Sequence, residues 1–175
     1  MNYDILFKSS PLNEYPKIFK AVQSDDLIGT VLRLHLLLER TLELRICAIC
    51  NQENLFGNKS KNNDKNRFFI SFDAKVKMAL ALGLDNKLFN LIQKINTIRN
   101  IFAHQNETIP SKHIEGSIEI IKNIQAEKNK TIDDYGVQLN PDDIDPIIMK
   151  FSDENLTKKD LFILITMYAI EQLHK

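Results

Sequence analysis

Apolar residues recur along most of this chain at intervals of three and four, the spacing that gathers side chains on one face of an α-helix. The longest such stretch covers residues 25–51, and the most regular one runs from Leu84 to His104. Shorter helices are predicted, in chain order, at residues 14–23, between Ser71 and Gly83, after Pro110 and after Thr157. The pattern therefore predicts an all-α bundle of about five helices, forming a single domain over residues 1–175.

Residues 129–156 do not follow the helical pattern. The part from Thr131 to Asp145 contains five aspartates, one proline and no basic residue. Within it, Tyr135 to Leu139 alternates weakly between apolar and polar residues, which indicates a short extended piece. We therefore expect an irregular acidic insertion in the bundle.

Composition supports a folded helical protein. Of the 175 residues, 43% are hydrophobic and 26% are charged, so the chain can form a core and is not of the disordered type. Five glycines and five prolines are few for an all-β protein, which uses both in its turns. The start of the chain lacks the signal-peptide pattern, and no apolar run approaches about 18 residues. We expect a cytoplasmic protein with no membrane association.

The net charge is zero, with 23 basic and 23 acidic residues, but the charges are unevenly distributed. Residues 57–99 carry nine basic residues and three acids, a net of +6, whereas residues 133–154 carry seven acids and one lysine, a net of −6. Only a uniformly basic nucleic-acid binder is excluded, since a local basic surface can still attract phosphate. The candidate contacts are Lys59, Lys61, Lys65, Arg67 and Lys94, although a basic loop is more often only solvated.

Cys47 and Cys50 form a C-x-x-C pair inside the long predicted helix. A structural zinc site needs four ligands, and no second cysteine or histidine pair has a matching spacing. Free cysteine packs as a small hydrophobic residue. We therefore expect two buried thiols, with no metal site and no cofactor.

The residues best suited to chemistry are Arg99, Asn100 and His104, at the end of the most regular helix. Histidine can move a proton near neutral pH, and arginine can hold a phosphate through two parallel hydrogen bonds. Asparagine can orient that phosphate or the imidazole. Together they suit metal-free cleavage of RNA, in which the ribose 2′-hydroxyl attacks the adjacent phosphate. The alternative is that all three only brace the helix end.

Helical geometry limits how these three residues can meet. Asn100 and His104 are four apart and lie one above the other, whereas Arg99 and His104 are about 140° apart around the axis. Arg99 and His104 therefore converge only if the last turn is distorted, or if a two-fold symmetric partner brings a second copy of each into the same cleft. We expect a homodimer.

His35 and Glu39 are four residues apart on the long helix and are candidate supporting residues that would position Arg99. The alternative is an ion pair on an exposed flank of the helix, which is a common arrangement at this spacing.

The segment Arg99-Asn100-x-x-x-His104 resembles the R-x4-6-H motif of the HEPN superfamily, including the polar residue after the arginine. Ahead of it, Ser71 to Val76 and Ala81 to Leu84 resemble the signature of mannitol operon repressor (MltR-like) proteins. The resemblance implies a helical bundle, often dimeric, with the motif at the dimer cleft. It also implies catalytic roles for the three motif residues.

Two functions follow from this resemblance. Many HEPN proteins are endoribonucleases of toxin–antitoxin, CRISPR and phage-defence systems, which predicts a metal-independent endoribonuclease with RNA as substrate and an antitoxin as a candidate partner. The MltR-like branch is associated with transcriptional regulation, which predicts a non-catalytic regulator acting through protein or nucleic-acid binding, with a transcription-related protein as a candidate partner.

Overall fold

The computed structural model describes residues 1–8, 26–56, 70–104, 108–139 and 147–175. Within these ranges six α-helices occur, namely α1 (Tyr3–Lys8), α2 (Leu27–Cys50), α3 (Phe72–Ala81), α4 (Asn86–His104), α5 (Ser111–Ala126) and α6 (Lys158–Leu173). A 3-10 turn (Ile132–Asp134) precedes two short strands, β1 (Gly136–Leu139) and β2 (Ile147–Lys150). The predicted helical class is confirmed. The helix predicted at 14–23 lies outside the described residues, and no helix within them is long and apolar enough to cross a membrane.

Helices α2, α4 and α6 begin at side chains that accept hydrogen bonds from free backbone N–H groups of the first turn. Asp26 accepts from the Gly29 nitrogen at 2.8 Å before α2, and Asp85 accepts from the Leu88 nitrogen at 3.0 Å before α4. Thr157 and Asp160 form a reciprocal capping box at the start of α6. Caps of this kind typically stabilise a helix by about 1 kcal/mol, so the local sequence fixes where these helices start.

Gly83 turns the chain sharply between α3 and α4. Its φ of +94° lies in the left-handed region, which glycine adopts without steric cost. The Leu84 nitrogen then donates to the Ala79 oxygen at 2.9 Å, closing the last turn of α3, and Leu84 is buried beneath it. This arrangement is a glycine-based helix end followed by an apolar contact.

Two helices form the centre of the bundle. Helix α2 contacts α1, α3, α4 and α6, while α6 contacts α2, α4, α5 and both strands. Every residue from Phe162 to Ile170 is buried, so α6 is surrounded on all sides. A helix that is apolar around its whole circumference belongs in the middle of a fold.

The predicted acidic insertion contains a small antiparallel hairpin that packs on α6. Val137 pairs with Met149 and both are buried, whereas Gln138 and Ile148 pair on the exposed face. A two-stranded hairpin alone is marginally stable in water, so its buried face against α6 stabilises it. The extended piece expected near Tyr135 to Leu139 is thus confirmed as β1, while residues 140–146 lie outside the described ranges.

Lys75 connects α3 to α2 through a nearly buried ion pair. Its Nζ lies 2.6 Å from Glu39 Oε1 and 2.5 Å from Glu43 Oε1, while 8% of the residue is exposed. Burial by itself lowers the pKa of Lys75, but the hydrogen bonds and charges of the two glutamates outweigh burial and raise it. The lysine therefore stays charged, and it holds α3 against one side of α2.

Replacing Lys75 with methionine should lower the free energy of unfolding by about 2 kcal/mol, because two partly buried carboxylates lose their shared cation. Lys77→Met is the matched control, since Lys77 is exposed and pairs with Asp73 on the same helix. The control should cost about 0.5 kcal/mol or less. Urea unfolding monitored by circular dichroism measures both, and equal losses would contradict a structural role specific to Lys75.

Candidate anion site at the end of α4

Arg99 and Asn100 lie next to each other near the end of α4, where the helix reaches the surface. Arg99 is half-buried and Asn100 is exposed. The Arg99 Nη1 donates a hydrogen bond to Asn100 Oδ1 at 3.0 Å. The helix stays regular to His104, so the backbone positions 99 and 104 remain about 140° apart. The side chain of His104 lies outside the described part of the structure.

Arg99 carries a positive charge that the described residues do not neutralise. The bond to Asn100 is the polar contact that its guanidinium makes there, and no carboxylate of the described ranges pairs with it. A guanidinium has five N–H donors and no acceptor. Most of its donors therefore remain available for an anion that approaches from outside.

His35 lies on α2 beside this group and is buried. Its ring centroid is 4.3 Å from that of Phe72, and its Nε2 is 3.1 Å from Asn96 Oδ1 on α4. Burial lowers the pKa of His35 below 6.5, and the charge of Arg99 adds to this, whereas the Asn96 bond and Glu39 oppose it. His35 is therefore a neutral imidazole near pH 7, within electrostatic reach of Arg99.

The two predicted supporting residues do not act on Arg99 through a direct bond. Glu39 pairs with the nearly buried Lys75 of α3, and not with His35 on an exposed flank of α2 as the alternative interpretation expected. His35 bonds to Asn96 instead. The prediction that these two residues position Arg99 stays a prediction.

Of the basic residues predicted to contact nucleic acid, one lies in the described ranges, and it is not beside Arg99. Lys94 lies across Gly116 of α5, where an added Cβ would come within 2.8 Å of its Nζ. Lys94 is five positions before Arg99 and so about 140° away around α4. The other four, Lys59, Lys61, Lys65 and Arg67, lie outside the described residues.

Metal-ligating side chains do not cluster in the described ranges. No group of three or more histidine, cysteine, aspartate or glutamate residues there has the geometry to hold a metal ion. Cys47 is a buried free thiol, as expected, and burial raises its pKa. The expectation that Cys50 is also buried is wrong, because this residue is exposed on the last turn of α2.

Asn96 is the residue of this site that the sequence reasoning missed. It precedes Arg99 by three residues and Asn100 by four, so all three share one face of α4. That spacing was visible in the sequence, but its partner His35 is 61 residues away. The face continues to Ala103, a small and exposed residue that leaves the group open to solvent.

Comparison of the chain with protein-family models, with curated proteins and with solved structures found no match.

The surroundings of His35 predict how it titrates. In a histidine NMR titration the midpoint of His35 should lie below 6.5, chiefly because the ring is buried. Arg99→Gln should raise that midpoint, since it removes one of the positive charges that disfavour protonation. Arg33→Gln is the control, because Arg33 is an exposed arginine on α2. A midpoint that moves equally in both variants would contradict the electrostatic contact between His35 and Arg99.

Proposed function

We propose that this chain is a homodimeric, metal-independent endoribonuclease of HEPN type, with Arg99, Asn100 and His104 as its catalytic residues. The observation that supports this best is the guanidinium of Arg99, half-buried and without a carboxylate partner in the described ranges. Such a group favours a bound anion, and the phosphodiester of RNA is an anion that a guanidinium recognises well.

In the proposed reaction the ribose 2′-hydroxyl attacks the adjacent phosphorus while the bond to the 5′-oxygen of the next nucleotide breaks. The products are a 2′,3′-cyclic phosphate and a free 5′-hydroxyl. One proton leaves the 2′-oxygen and one is added to the departing 5′-oxygen, and His104 carries out one of these transfers. DNA lacks the attacking hydroxyl, so the substrate is RNA.

Arg99 would act through charge in this mechanism. The phosphorus gains negative charge on its oxygens as the 2′-oxygen bonds to it, and a guanidinium fixed in place stabilises that charge more than it stabilises the substrate. The hydrogen bond to Asn100 holds the guanidinium in one orientation. Asn100 therefore serves both to orient Arg99 and to contact the phosphate.

A second copy of the chain would complete the site. Positions 99 and 104 are about 140° apart on a regular helix, so the two side chains of one protomer start on different sides of α4. A two-fold axis beside α4 would bring Arg99 of one protomer near His104 of its partner. We therefore propose that the active form is the dimer.

Purified protein should cleave total RNA in the presence of EDTA, and His104→Ala should reduce the rate by about a hundredfold or more, as expected for loss of a general acid or base. His113→Ala is the control, because it removes a histidine outside the motif. The products should end in a cyclic phosphate, which RNA sequencing after enzymatic end repair detects.

Cleavage by His104→Ala at the rate of the parent would overturn the proposal. If instead the parent does not cleave RNA, the non-catalytic regulator is favoured. In that case Arg99→Ala should impair folding or dimerisation, which analytical ultracentrifugation measures.

A further inference from the structure

The face of α4 that carries Arg99 presents hydrogen-bond donors, while the amide oxygens of its two asparagines contact other groups of the protein. An asparagine amide has an acceptor oxygen and a donor NH2 group. Asn96 Oδ1 is 3.1 Å from His35 Nε2, and Asn100 Oδ1 receives a bond of 3.0 Å from Arg99 Nη1. Both amide oxygens are therefore already occupied by donors of the protein.

The donor NH2 groups of both asparagines are left without a partner among the described residues. No hydrogen bond of Asn96 Nδ2 or Asn100 Nδ2 occurs in the described ranges. Arg99, whose remaining N–H groups are also without a partner among the described residues, lies between the two asparagines in the sequence. The two asparagines are four positions apart, which is a rise of about 6 Å along the axis.

The tautomer of His35 and the orientation of the Asn96 amide are linked by their hydrogen bond. A neutral imidazole has one N–H donor, and a bond to Asn96 Oδ1 requires that the proton be on Nε2. The ring itself is fixed, because it is buried and packs against Phe72. With its proton on Nε2 the imidazole donates to Asn96 Oδ1, and the NH2 group of Asn96 is then directed away from His35.

Negative groups that would compete with an anion are neutralised nearby. Glu39 is a carboxylate whose charge acts on His35, and its Oε1 is bound to Lys75. Ala103, one turn beyond Arg99 on the same face, adds no polar group and little bulk. This face of α4 thus has one cation, two amide NH2 groups without a partner among the described residues, and a small residue that leaves room for a ligand.

From these contacts we infer that Asn96, Arg99 and Asn100 form a phosphate-binding row on α4, with His35 as the residue that positions Asn96. The ligand is a phosphate group, either of an RNA strand or free in solution. The inference deepens the proposed function and rests on it in assigning the phosphate to RNA. Asn96 would then hold substrate without taking part in proton transfer.

The row can be tested by binding, without cleavage. Protein labelled with nitrogen-15 is titrated with inorganic phosphate and, separately, with a 2′-O-methyl RNA oligonucleotide, which lacks the attacking hydroxyl. The side-chain NH2 signals of Asn96 and Asn100 should shift. Shifts with the oligonucleotide alone assign the row to a strand, and shifts with both probes assign it to phosphate in general. If neither probe shifts these signals, the inference is overturned.

Asn96→Asp is the decisive variant, because it replaces the outward donor with an acceptor oxygen of nearly the same shape. It should weaken oligonucleotide binding by about tenfold or more, measured by fluorescence anisotropy in EDTA. Asn90→Asp is the matched control, since Asn90 is exposed, lies about 120° around α4 and about 9 Å along its axis from Asn96, and acquires the same charge. The control should change binding by about twofold or less, as expected for an exposed charge away from the ligand.

Equal losses in Asn96→Asp and Asn90→Asp would show that only overall charge matters and would overturn the row. If Asn96→Asp does not fold, as judged by circular dichroism, Asn100→Asp at the exposed end of the row replaces it, with the same expectation. If the parent cleaves RNA and Asn96→Asp binds the oligonucleotide as well as the parent does, the proposed function stands and the phosphate-binding row is overturned. If Asn96→Asp weakens oligonucleotide binding but the parent does not cleave RNA, the phosphate-binding row stands and the proposed function is overturned.

Discussion

The polar side chains that α2 buries against α3 and α4 need partners, and this requirement fixes how the three helices face one another. Glu39 and Glu43 bind Lys75 of α3, and His35 binds Asn96 of α4. Leaving a buried polar group without its partner typically costs about 1–3 kcal/mol, and more when the group is charged. A rotation of α3 or α4 about its axis would break these contacts. The polar contacts of α2 therefore determine which face of α4 reaches solvent.

Local signals in the sequence were sufficient to locate most of the helices. The regular apolar spacing of α2 and α4 and the capping residues Asp26, Ser71 and Thr157 each depend on neighbours within one or two turns. Helix α1 was missed because six residues are too few to show a period. The complete burial of α6 is not predicted for another reason. The helical pattern was interpreted as one apolar face, whereas α6 is apolar around its whole circumference.

The candidate site was only partly predictable from the sequence, because its contacts join distant segments. The spacing of Arg99 and Asn100 is local and indicated their common location, but nothing near His35 in the sequence points to Asn96. The net charge of +6 over residues 57–99 also overstated the charge available to a ligand. Two of its lysines are paired with acids outside that range, namely Lys75 with Glu39 and Glu43, and Lys87 with Glu127. Arg99 differs from these lysines in having no such carboxylate among the described residues.

An endoribonuclease of the proposed kind must perform two tasks, and different residues of this chain would carry them out. Holding the phosphate requires donors and positive charge, which one face of α4 supplies. Moving a proton requires a group that reaches the 2′- or 5′-oxygen and exchanges its own proton. His35 does not meet that requirement, because it is 4% exposed and its Nε2 is hydrogen-bonded to Asn96. In the proposed mechanism proton transfer therefore depends on His104, while His35 acts through the orientation of Asn96, so binding and cleavage can be lost independently.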